Sequence, residues 1–365
     1  MDFLETIEYY QKIISKALEG YLNQKLKELP SFGNSFVKIQ HQLFSRYCLR
    51  NGKRLRPILT LMAYRAVGGK NEKSILMPAL AFELFHNYTL IHDDIYDEDE
   101  KRRGEWSNHI LLQRWFEKKY PKSSLVNALY KNSATRFGVV AGIINGKYLH
   151  ALSSLPILEA DVSREKKLAG IKLYQDVSIY DNTGQAIDLA FEQDFKVTEK
   201  DYYNMVLCKT GQLFKAATEW GAILGGANAS QKEAFRKYAE EISIVFQIKD
   251  DLLDIASGGE KGRGIGSDIK KGKKTLLIIH ALGQADAKKK KFILGVLGNQ
   301  GAGEAEIKKV IGWLVDLGSV DFCRKKALGR VAAANACLER ARPALRAQAK
   351  QFFKDLARFM LERNR

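Results

Sequence analysis

Two short acidic motifs in the sequence could hold divalent cations. The first is Asp-Asp-Ile-Tyr-Asp at 93–97, and the second is Asp-Asp-Leu-Leu-Asp at 250–254. In each motif the first and third aspartates lie one helical turn apart, a spacing at which like charges destabilise a helix. Half-buried carboxylates must be neutralised, and Mg²⁺ commonly takes one or two carboxylates together with waters and substrate phosphates. One such motif is often a solvated helix end, whereas two, each closing an apolar helix, indicate metal binding.

Four groups of basic residues accompany the acidic motifs. They are GKRLRP at 52–57, RRG at 102–104, KTG at 209–211 and GSDIKKGKKT at 266–275. Arginine binds phosphate through two parallel hydrogen bonds, and lysine supplies a point charge. Each group alone would be an ordinary solvated patch. Together with two metal motifs they indicate substrates that carry diphosphates, and two of them.

The strongly basic composition allows three explanations. The 365 residues carry a formal net charge of +17, which fits a nucleic-acid or membrane partner, a lysine-rich solvated surface, or a pocket for polyanionic substrates. The sequence has no zinc-finger, RNA-binding or helix-turn-helix signature, so we expect no nucleic-acid partner. It has no apolar run of about 18 residues, so we expect any membrane contact to be peripheral.

The first residues and the cysteines bear on location. The opening stretch MDFLETIEYYQKI is acidic and amphipathic, unlike the basic start and apolar centre of a signal peptide. Cys48, Cys208, Cys323 and Cys337 are scattered without metal-type spacing. Reduced thiols are the simplest interpretation, and we expect a cytoplasmic protein.

Apolar residues recur at helical spacing through nearly the whole chain, and we find no strand-turn-strand signal. The pattern predicts an all-α fold in a single domain over 1–365, with the motifs within about 5–285 and further helices within 286–365. The predicted helices include 73–97, 135–152, 165–192, 199–225, 231–255, 273–283, 304–317 and 328–362. The segment after about 284 carries no motif, so we expect it to cover the core.

The sequence resembles the trans-isoprenyl diphosphate synthases, or polyprenyl synthetases. The resemblance rests on motifs in the matching order: GKRLRP at 52–57, HDDIYDEDEKRRG at 92–104, GQAIDL at 184–189, KTG at 209–211, FQIKDDLLD at 246–254 and GSDIKKGKKT at 266–275. It implies an isoprenoid-synthase-type helical bundle around a deep central cavity, and a homodimer. It also implies head-to-tail condensation of isopentenyl diphosphate with dimethylallyl, geranyl or farnesyl diphosphate, through an allylic carbocation.

The resemblance also assigns roles to individual residues. Up to three Mg²⁺ ions, bridged by substrate diphosphate, would be held first by Asp93, Asp97 and Asp250. Second-choice or water-mediated ligands would be Asp94, Asp251 and Asp254. Arg102 and Lys273 would hold the allylic diphosphate. Isopentenyl diphosphate would be held by Gly52, Lys53, Arg56, His86 and Arg103. Near the scissile carbon–oxygen bond would lie Lys209, Thr210 and Gln247.

The chemistry agrees with these roles. Diphosphate leaves poorly until metal ions and fixed cations neutralise its charge. The dipoles of Gln247 and Thr210 can stabilise a carbocation without trapping it, and the released diphosphate is expected to take the final proton. His86 could instead be a core histidine. We expect His92 and His109 to be structural, and Asp188 to hydrogen-bond another helix.

Product length in such synthases is set just upstream of the first motif. Tyr88 and Thr89 precede Asp93 by five and four residues, and one bulky ring without a second resembles members that stop at C20. We expect geranylgeranyl diphosphate, with farnesyl diphosphate (C15) and C25 or longer products as alternatives. Three positions depart from the usual pattern, where this chain has Trp106, Lys147 and Gly264.

Three other functions remain open. A class I terpene cyclase shares the first motif, but normally carries a different metal motif where this chain has DDLLD. A non-catalytic partner subunit would be expected to have lost aspartates. A basic nucleic-acid binder would leave the paired carboxylates unexplained.

Overall fold

The computed structural model describes residues 2–121, 129–130, 132–257 and 264–363. The protein is 78% helical, which confirms the all-α prediction. Within the described residues, none of the helices is long and apolar enough to cross a bilayer. The helices are α1 (Phe3–Glu28), α2 (Ser35–Leu49), α3 (Leu55–Ala66), α4 (Glu72–Ala79), α5 (Ala81–Tyr96), α6 (Asn108–Lys119), α7 (Ser133–Ser153), α8 (Leu155–Leu158), α9 (Arg164–Gln193), α10 (Glu199–Val206), α11 (Gln212–Leu224), α12 (Ala229–Ser257), α13 (Ser267–Lys270), α14 (Leu276–Gln284), α15 (Ala287–Val296), α16 (Glu304–Asp316), α17 (Ser319–Glu339) and α18 (Ala347–Glu362).

The chain forms two compact units. One comprises Met1–Leu61 with Asn71–Ile171, and the other comprises Met62–Lys70 with Lys172–Arg365. In the first unit, α5 carries the first acidic motif and is packed chiefly against α7. In the second, α12 carries the second motif and contacts α11, α17 and α18. The single-domain organisation over 1–365 stays a prediction.

A small hairpin follows the first motif, although the sequence analysis found no strand signal. Strands β1 (Lys101–Arg102) and β2 (Glu105–Trp106) pair antiparallel. Arg103 and Gly104, with φ of 56° and 78°, form the two-residue connection, and two left-handed residues are typical of a type I′ turn. Two-residue strands are too short to show alternation, which is why the pattern missed them.

Three predicted helices are interrupted. The helix expected over 73–97 is two helices, α4 and α5, which meet at Leu80. The helix expected over 328–362 is two helices, α17 and α18, because Pro343 lies between them and cannot continue a helix. The helix expected over 199–225 contains a π-helical segment at Leu207–Gly211. Such π segments are rare and often occur at functional sites, and this one carries Lys209 and Thr210.

Helix α7 approaches α5 closely at Gly146. A Cβ at Gly146 would lie 2.1 Å from Nε2 of His92, so only glycine fits without movement. The ring of His92 is buried, and its Nε2 lies 3.1 Å from the carbonyl oxygen of Ile143. His92 therefore fills the contact between the two helices, in agreement with the predicted structural role.

The GKRLRP loop is held by its central arginine. Arg54 has φ of 51°, and its guanidinium donates to the carbonyls of Cys48 and Arg50 at 2.9 and 2.8 Å. It also donates to Glu83 of α5 at 2.7 Å, in an ion pair whose side chains are 1% and 3% exposed. This buried pair fixes the backbone between Lys53 and Arg56.

We predict that Glu83→Gln lowers the free energy of unfolding by about 3–5 kcal/mol, because removing one partner leaves a buried charge uncompensated. The matched control is Asp176→Asn, which breaks an exposed i,i+4 pair with Lys172 and should cost less than about 0.5 kcal/mol. Guanidinium chloride denaturation measures both. Equal small losses would contradict an anchoring role for Arg54 and Glu83.

Candidate active site

The first acidic motif ends α5 with aspartates on two faces. Asp93 and Asp97 share a face one turn apart and are half-buried, and Asp97 is the C-cap of the helix. Asp94 lies about 100° around the helix and is fully buried. We name Asp93, Asp97 and the corresponding Asp250 the outer aspartates. The second residue of each motif, Asp94 or Asp251, is an inner aspartate.

Asp94 has both carboxylate oxygens engaged. Tyr47 of α2 donates its hydroxyl to Oδ2 at 2.7 Å, and Nε of Arg102 donates to Oδ1 at 2.6 Å. Burial raises the pKa of Asp94, although Arg102 and Tyr47 oppose the rise. These contacts orient Arg102, and the place of Asp94 as a second-choice or water-mediated metal ligand stays a prediction.

Arg102 neutralises the end of α5. Its guanidinium lies 3.0 Å from Asp93 and 3.5 Å from Asp99, and the side chain is 7% exposed. Burial alone would lower the pKa of Arg102, but Asp94 and Asp93 outweigh it and raise the pKa. The basic residue that follows the acidic motif therefore balances the negative charge of the aspartates, because strand β1 brings Arg102 back over them.

The residues assigned to isopentenyl diphosphate come together in the first unit. A Cβ on Gly52 would lie 2.9 Å from Nη1 of Arg103, so that guanidinium covers the glycine. Burial lowers the pKa of His86 well below its usual range, and the charges of Arg56 and Arg103 lower it further. Lys53 lies half-buried in the same loop. The structure therefore brings the charges of Arg56 and Arg103 close to the buried imidazole of His86.

One contact to this loop was missed by the sequence analysis. Gln11 of α1 donates Nε2 to the carbonyl of Gly52 at 2.7 Å. A lone glutamine on an amphipathic helix gives no signal of its partner, because the two residues are far apart in sequence. Its contact helps to fix the backbone under Arg103.

The second acidic motif repeats the division between its first two aspartates on α12. Asp251 is 3% exposed and accepts from the hydroxyl of Tyr202 at 2.7 Å and from Nε2 of Gln247 at 2.9 Å. Burial raises the pKa of Asp251, and Asp268 adds to the rise. Asp254 is also buried and accepts from the amide of Asp268 at 3.2 Å. Asp250 is the exposed member, with 39% of its side chain accessible.

Arg363, which directly follows α18, reaches Asp250 of α12. Its guanidinium pairs with the Asp250 carboxylate, lies 3.3 Å from the carbonyl oxygen of Phe246, and stacks 4.3 Å above the Phe246 ring. Arg363 belongs to the segment after about residue 284, which carries no motif, and it adds a charge beside the second acidic motif. No motif could have revealed it, because only the packing of α18 brings residue 363 to α12.

Lys209 and Lys273 converge on one carboxylate. Their ammonium groups lie 2.7 and 3.1 Å from Oδ2 of Asp188, and Lys273 also contacts Glu192 at 2.9 Å. Asp188 of α9 therefore accepts a hydrogen bond from another helical segment, as predicted, with Lys209 of the π segment as the donor. Thr210 follows Lys209 in the π segment, so both belong to the same second unit as Gln247.

The two chain-length candidates lie on different faces of α5. The ring of Tyr88 is 6% exposed and packs edge-to-face against Phe85 and His150, with centroids 5.2 and 4.9 Å apart. Thr89 is half-buried and donates to the carbonyl of His86 at 2.9 Å. Tyr88 is therefore held within the contact between α5 and α7.

The three departures from the expected pattern differ in their surroundings. The ring of Trp106 lies under two cations, with Lys101 at 4.9 Å and Arg114 at 4.7 Å from its centroid. Lys147 and Gly264 are exposed. Trp106 therefore stabilises the hairpin next to Arg102, while nothing in the structure explains the other two.

The outer aspartates fit a hard divalent cation. Among the described residues, no three His, Cys, Asp or Glu side chains already converge as a complete metal cage. Asp93 and Asp250 are 17% and 39% exposed and offer only oxygen ligands. Mg²⁺ is usually bound by one or two carboxylates plus waters and phosphates, so a complete protein cage is not required.

Comparisons with known proteins agree with the motifs. Residues 37–314 match the family model of polyprenyl synthetases. A short chain isoprenyl diphosphate synthase of Methanocaldococcus jannaschii is 36% identical over 273 residues, which cover 74% of this chain and 73% of the relative. A geranylgeranyl pyrophosphate synthase of Geoglobus acetivorans is 33% identical over 360 residues, which cover 99% of each chain.

A solved structure shows the same fold. The crystal structure of geranylgeranyl pyrophosphate synthase from Corynebacterium glutamicum, complexed with isoprenyl diphosphate and magnesium, superposes with a TM-score of 0.88. The alignment covers 100% of both chains at 21% identity. At that identity the similarity concerns the fold alone.

We predict that Gly184→Ala disturbs the π segment, because a Cβ there would lie 2.4 Å from the backbone nitrogen of Lys209. Overpacking of this kind should lower the free energy of unfolding by about 1–3 kcal/mol and speed hydrogen exchange of amides 207–211. The control is Gly283→Ala in α14, where nothing lies within 4 Å and alanine should stabilise by about 0.5–1 kcal/mol. Identical exchange rates in Gly184→Ala and the wild type would contradict the contact.

Proposed function

The chain belongs to the polyprenyl synthetase family, and from this premise we propose the reaction that it catalyses. It is a trans-prenyltransferase that condenses isopentenyl diphosphate head-to-tail with an allylic diphosphate. The observation that carries this proposal is the presence of both aspartate motifs, each with an accessible outer carboxylate beside a buried inner one. The allylic substrate is dimethylallyl, geranyl or farnesyl diphosphate.

The reaction uses a divalent metal, which we propose to be Mg²⁺, with up to three ions bridged by the substrate diphosphate. Asp93, Asp97 and Asp250 would hold the metal, because they combine oxygen ligands with access to solvent. When bound, the ions act as Lewis acids that neutralise the leaving diphosphate. In this proposal Arg363 shares the carboxylate of Asp250 and so competes for it with metal.

Fixed cations of the protein hold the two substrates. Arg102 and Lys273 would bind the allylic diphosphate, and the cluster around Gly52, Lys53, Arg56, His86 and Arg103 would bind isopentenyl diphosphate. Cations that the fold fixes before the reaction begins cost no reorganisation as charge develops. Lys209 is aimed at the same region as Lys273, because both contact Asp188.

Two neutral dipoles would stabilise the allylic carbocation. Gln247 donates its amide nitrogen to Asp251, which leaves its carbonyl oxygen as the end that can face positive charge. The hydroxyl oxygen of Thr210 can act in the same way. The double bond of isopentenyl diphosphate then attacks the cation, and the departing diphosphate takes the released proton, so no side-chain base is needed.

We propose geranylgeranyl diphosphate (C20) as the product, with farnesyl diphosphate or a C25 or longer product as alternatives. The support is one bulky aromatic ring, Tyr88, five residues before the first motif. That ring is held by Phe85 and His150, so it has a defined position.

We also propose that the protein is a cytoplasmic homodimer. Helix α7 exposes apolar side chains that an interface would cover, since Val140, Ile143 and Ile144 are 37%, 41% and 45% exposed. Contiguous exposed apolar residues often mark interaction sites. A monomeric mass by light scattering would contradict the dimer.

A non-catalytic partner subunit is the main alternative of a different class. It would tolerate the loss of outer aspartates, yet both motifs of this chain are intact. A terpene cyclase would release diphosphate from an allylic substrate without incorporating isopentenyl diphosphate. Turnover distinguishes all three functions.

We predict Mg²⁺-dependent incorporation of radiolabelled isopentenyl diphosphate into a discrete product, which EDTA abolishes. Asp93→Asn and Asp250→Asn should each lower kcat by a hundredfold or more, because Lewis-acid stabilisation contributes several kcal/mol and each 1.36 kcal/mol is tenfold. The control, Asp176→Asn, removes an exposed carboxylate of α9 and should leave turnover unchanged. No incorporation with any of the three primers, from a folded protein, would contradict the synthase.

We predict that Tyr88→Ala lengthens the product beyond that of the wild type, because removing the ring opens space one to two turns before Asp93. The control is Tyr96→Ala on the same helix, whose ring is 52% exposed and should not affect length. Chromatography of the dephosphorylated products measures both. Identical product lengths in Tyr88→Ala and the wild type would exclude Tyr88 as the determinant.

A further inference from the structure

Two buried tyrosines outside the motifs contact the inner aspartates in the same way. Tyr47 of α2 donates to Oδ2 of Asp94, and Tyr202 of α10 donates to Oδ2 of Asp251, both at 2.7 Å. The two tyrosines are 2% and 1% exposed. Each unit thus builds its motif from an aspartate on one helix and a tyrosine on another.

The remaining oxygen of each inner aspartate accepts from a side chain with a proposed role. Oδ1 of Asp94 accepts from Nε of Arg102 at 2.6 Å, and Oδ1 of Asp251 accepts from Nε2 of Gln247 at 2.9 Å. In both arrangements a tyrosine hydroxyl donates to a carboxylate, and that carboxylate accepts from a side chain with a proposed role. The identical order in two separate parts of the chain argues against coincidence.

We propose that Tyr47 and Tyr202 are positioning residues, which fix Arg102 and Gln247 through Asp94 and Asp251. This inference rests on the proposed synthase function, since Arg102 is assigned to the allylic diphosphate and Gln247 to the carbocation. The inner aspartates would then hold Arg102 and Gln247 in position and would not bind metal. Neither tyrosine belongs to a recognisable motif.

The two tyrosine–aspartate pairs have different chemical consequences. Gln247 must present its carbonyl oxygen to positive charge, and Asp251 secures this by accepting from the amide nitrogen. Without Tyr202 the Asp251 carboxylate can rotate and the amide of Gln247 can turn. Arg102 needs its guanidinium plane fixed to bind a phosphate through two hydrogen bonds, and Asp94 holds that plane through Nε.

The test compares tyrosine-to-phenylalanine variants, which remove one hydroxyl each. Tyr202→Phe should lower kcat about tenfold, with both KM values changed less than about twofold, because an interaction made in the transition state is weakened. Tyr47→Phe should raise KM for the allylic diphosphate about tenfold, with a smaller change in kcat. These fold-changes in kcat and KM correspond to the free energy that a hydrogen bond to a charged group contributes.

Two other buried tyrosines provide matched controls. Tyr238 donates to the carbonyl of Phe353 at 2.7 Å, and Tyr10 donates to the carboxylate of Glu72 at 2.6 Å. Tyr238→Phe and Tyr10→Phe should lose comparable thermal stability but keep kcat and both KM values within about twofold of the wild type. A purely structural role would make all four variants behave alike, and that result would overturn the proposal.

A second variant keeps the test decisive if a phenylalanine variant does not fold. Asp251→Asn retains an acceptor for Tyr202 but presents an amide hydrogen to Gln247, so the Gln247 amide must turn. We expect kcat to fall about tenfold at an unchanged half-saturating Mg²⁺ concentration. Wild-type kcat, or a rise in that Mg²⁺ concentration, would overturn the proposal.

The wild-type assay separates this proposal from the function on which it rests. If the wild type incorporates no isopentenyl diphosphate, the synthase function fails. If the wild type is active and Tyr202→Phe and Tyr47→Phe match their controls, only the positioning role fails.

Discussion

The burial of one carboxylate directly beside an accessible one is the constraint on which both acidic motifs depend. Asp94 and Asp251 lie in the protein interior, where an ionised group is costly unless its oxygens accept hydrogen bonds. Tyrosine hydroxyls, a guanidinium and an amide meet that requirement. Once the inner aspartate is fixed, helix geometry presents the outer aspartate of the same motif to solvent, where it can bind metal.

Unusual backbone conformations place the cations around this constraint. The left-handed residues Arg103 and Gly104 reverse the chain directly after Arg102, so that β2 pairs with the strand that carries Arg102. The π segment at Leu207–Gly211 carries Lys209 and Thr210 out of regular helical register. Such conformations persist only where the surroundings impose them, as the buried Arg54–Glu83 pair does for the GKRLRP loop.

The sequence predicted what depends on local pattern and residue type. Helical periodicity located most of the long helices, and the two aspartate motifs with their basic neighbours indicated a diphosphate-binding metal enzyme of the family that the comparisons show. It ranked Asp93 above Asp94 as a metal ligand only through the family resemblance, because the two are the same residue type at adjacent positions. Nor could it find Tyr47, Tyr202 or Arg363, whose partners are 47, 49 and 113 residues away. Those contacts exist only after the helices have packed.

The most direct test of the division between outer and inner aspartates is anomalous scattering from crystals soaked with Mn²⁺ and inorganic diphosphate. Mn²⁺ stands in for Mg²⁺ and marks each metal position. We predict metal about 2.1 Å from oxygens of Asp93, Asp97 or Asp250, with Asp94 and Asp251 still bonded to Tyr47 and Tyr202. Metal bound to Asp94 or Asp251, with the tyrosine displaced, would contradict the account.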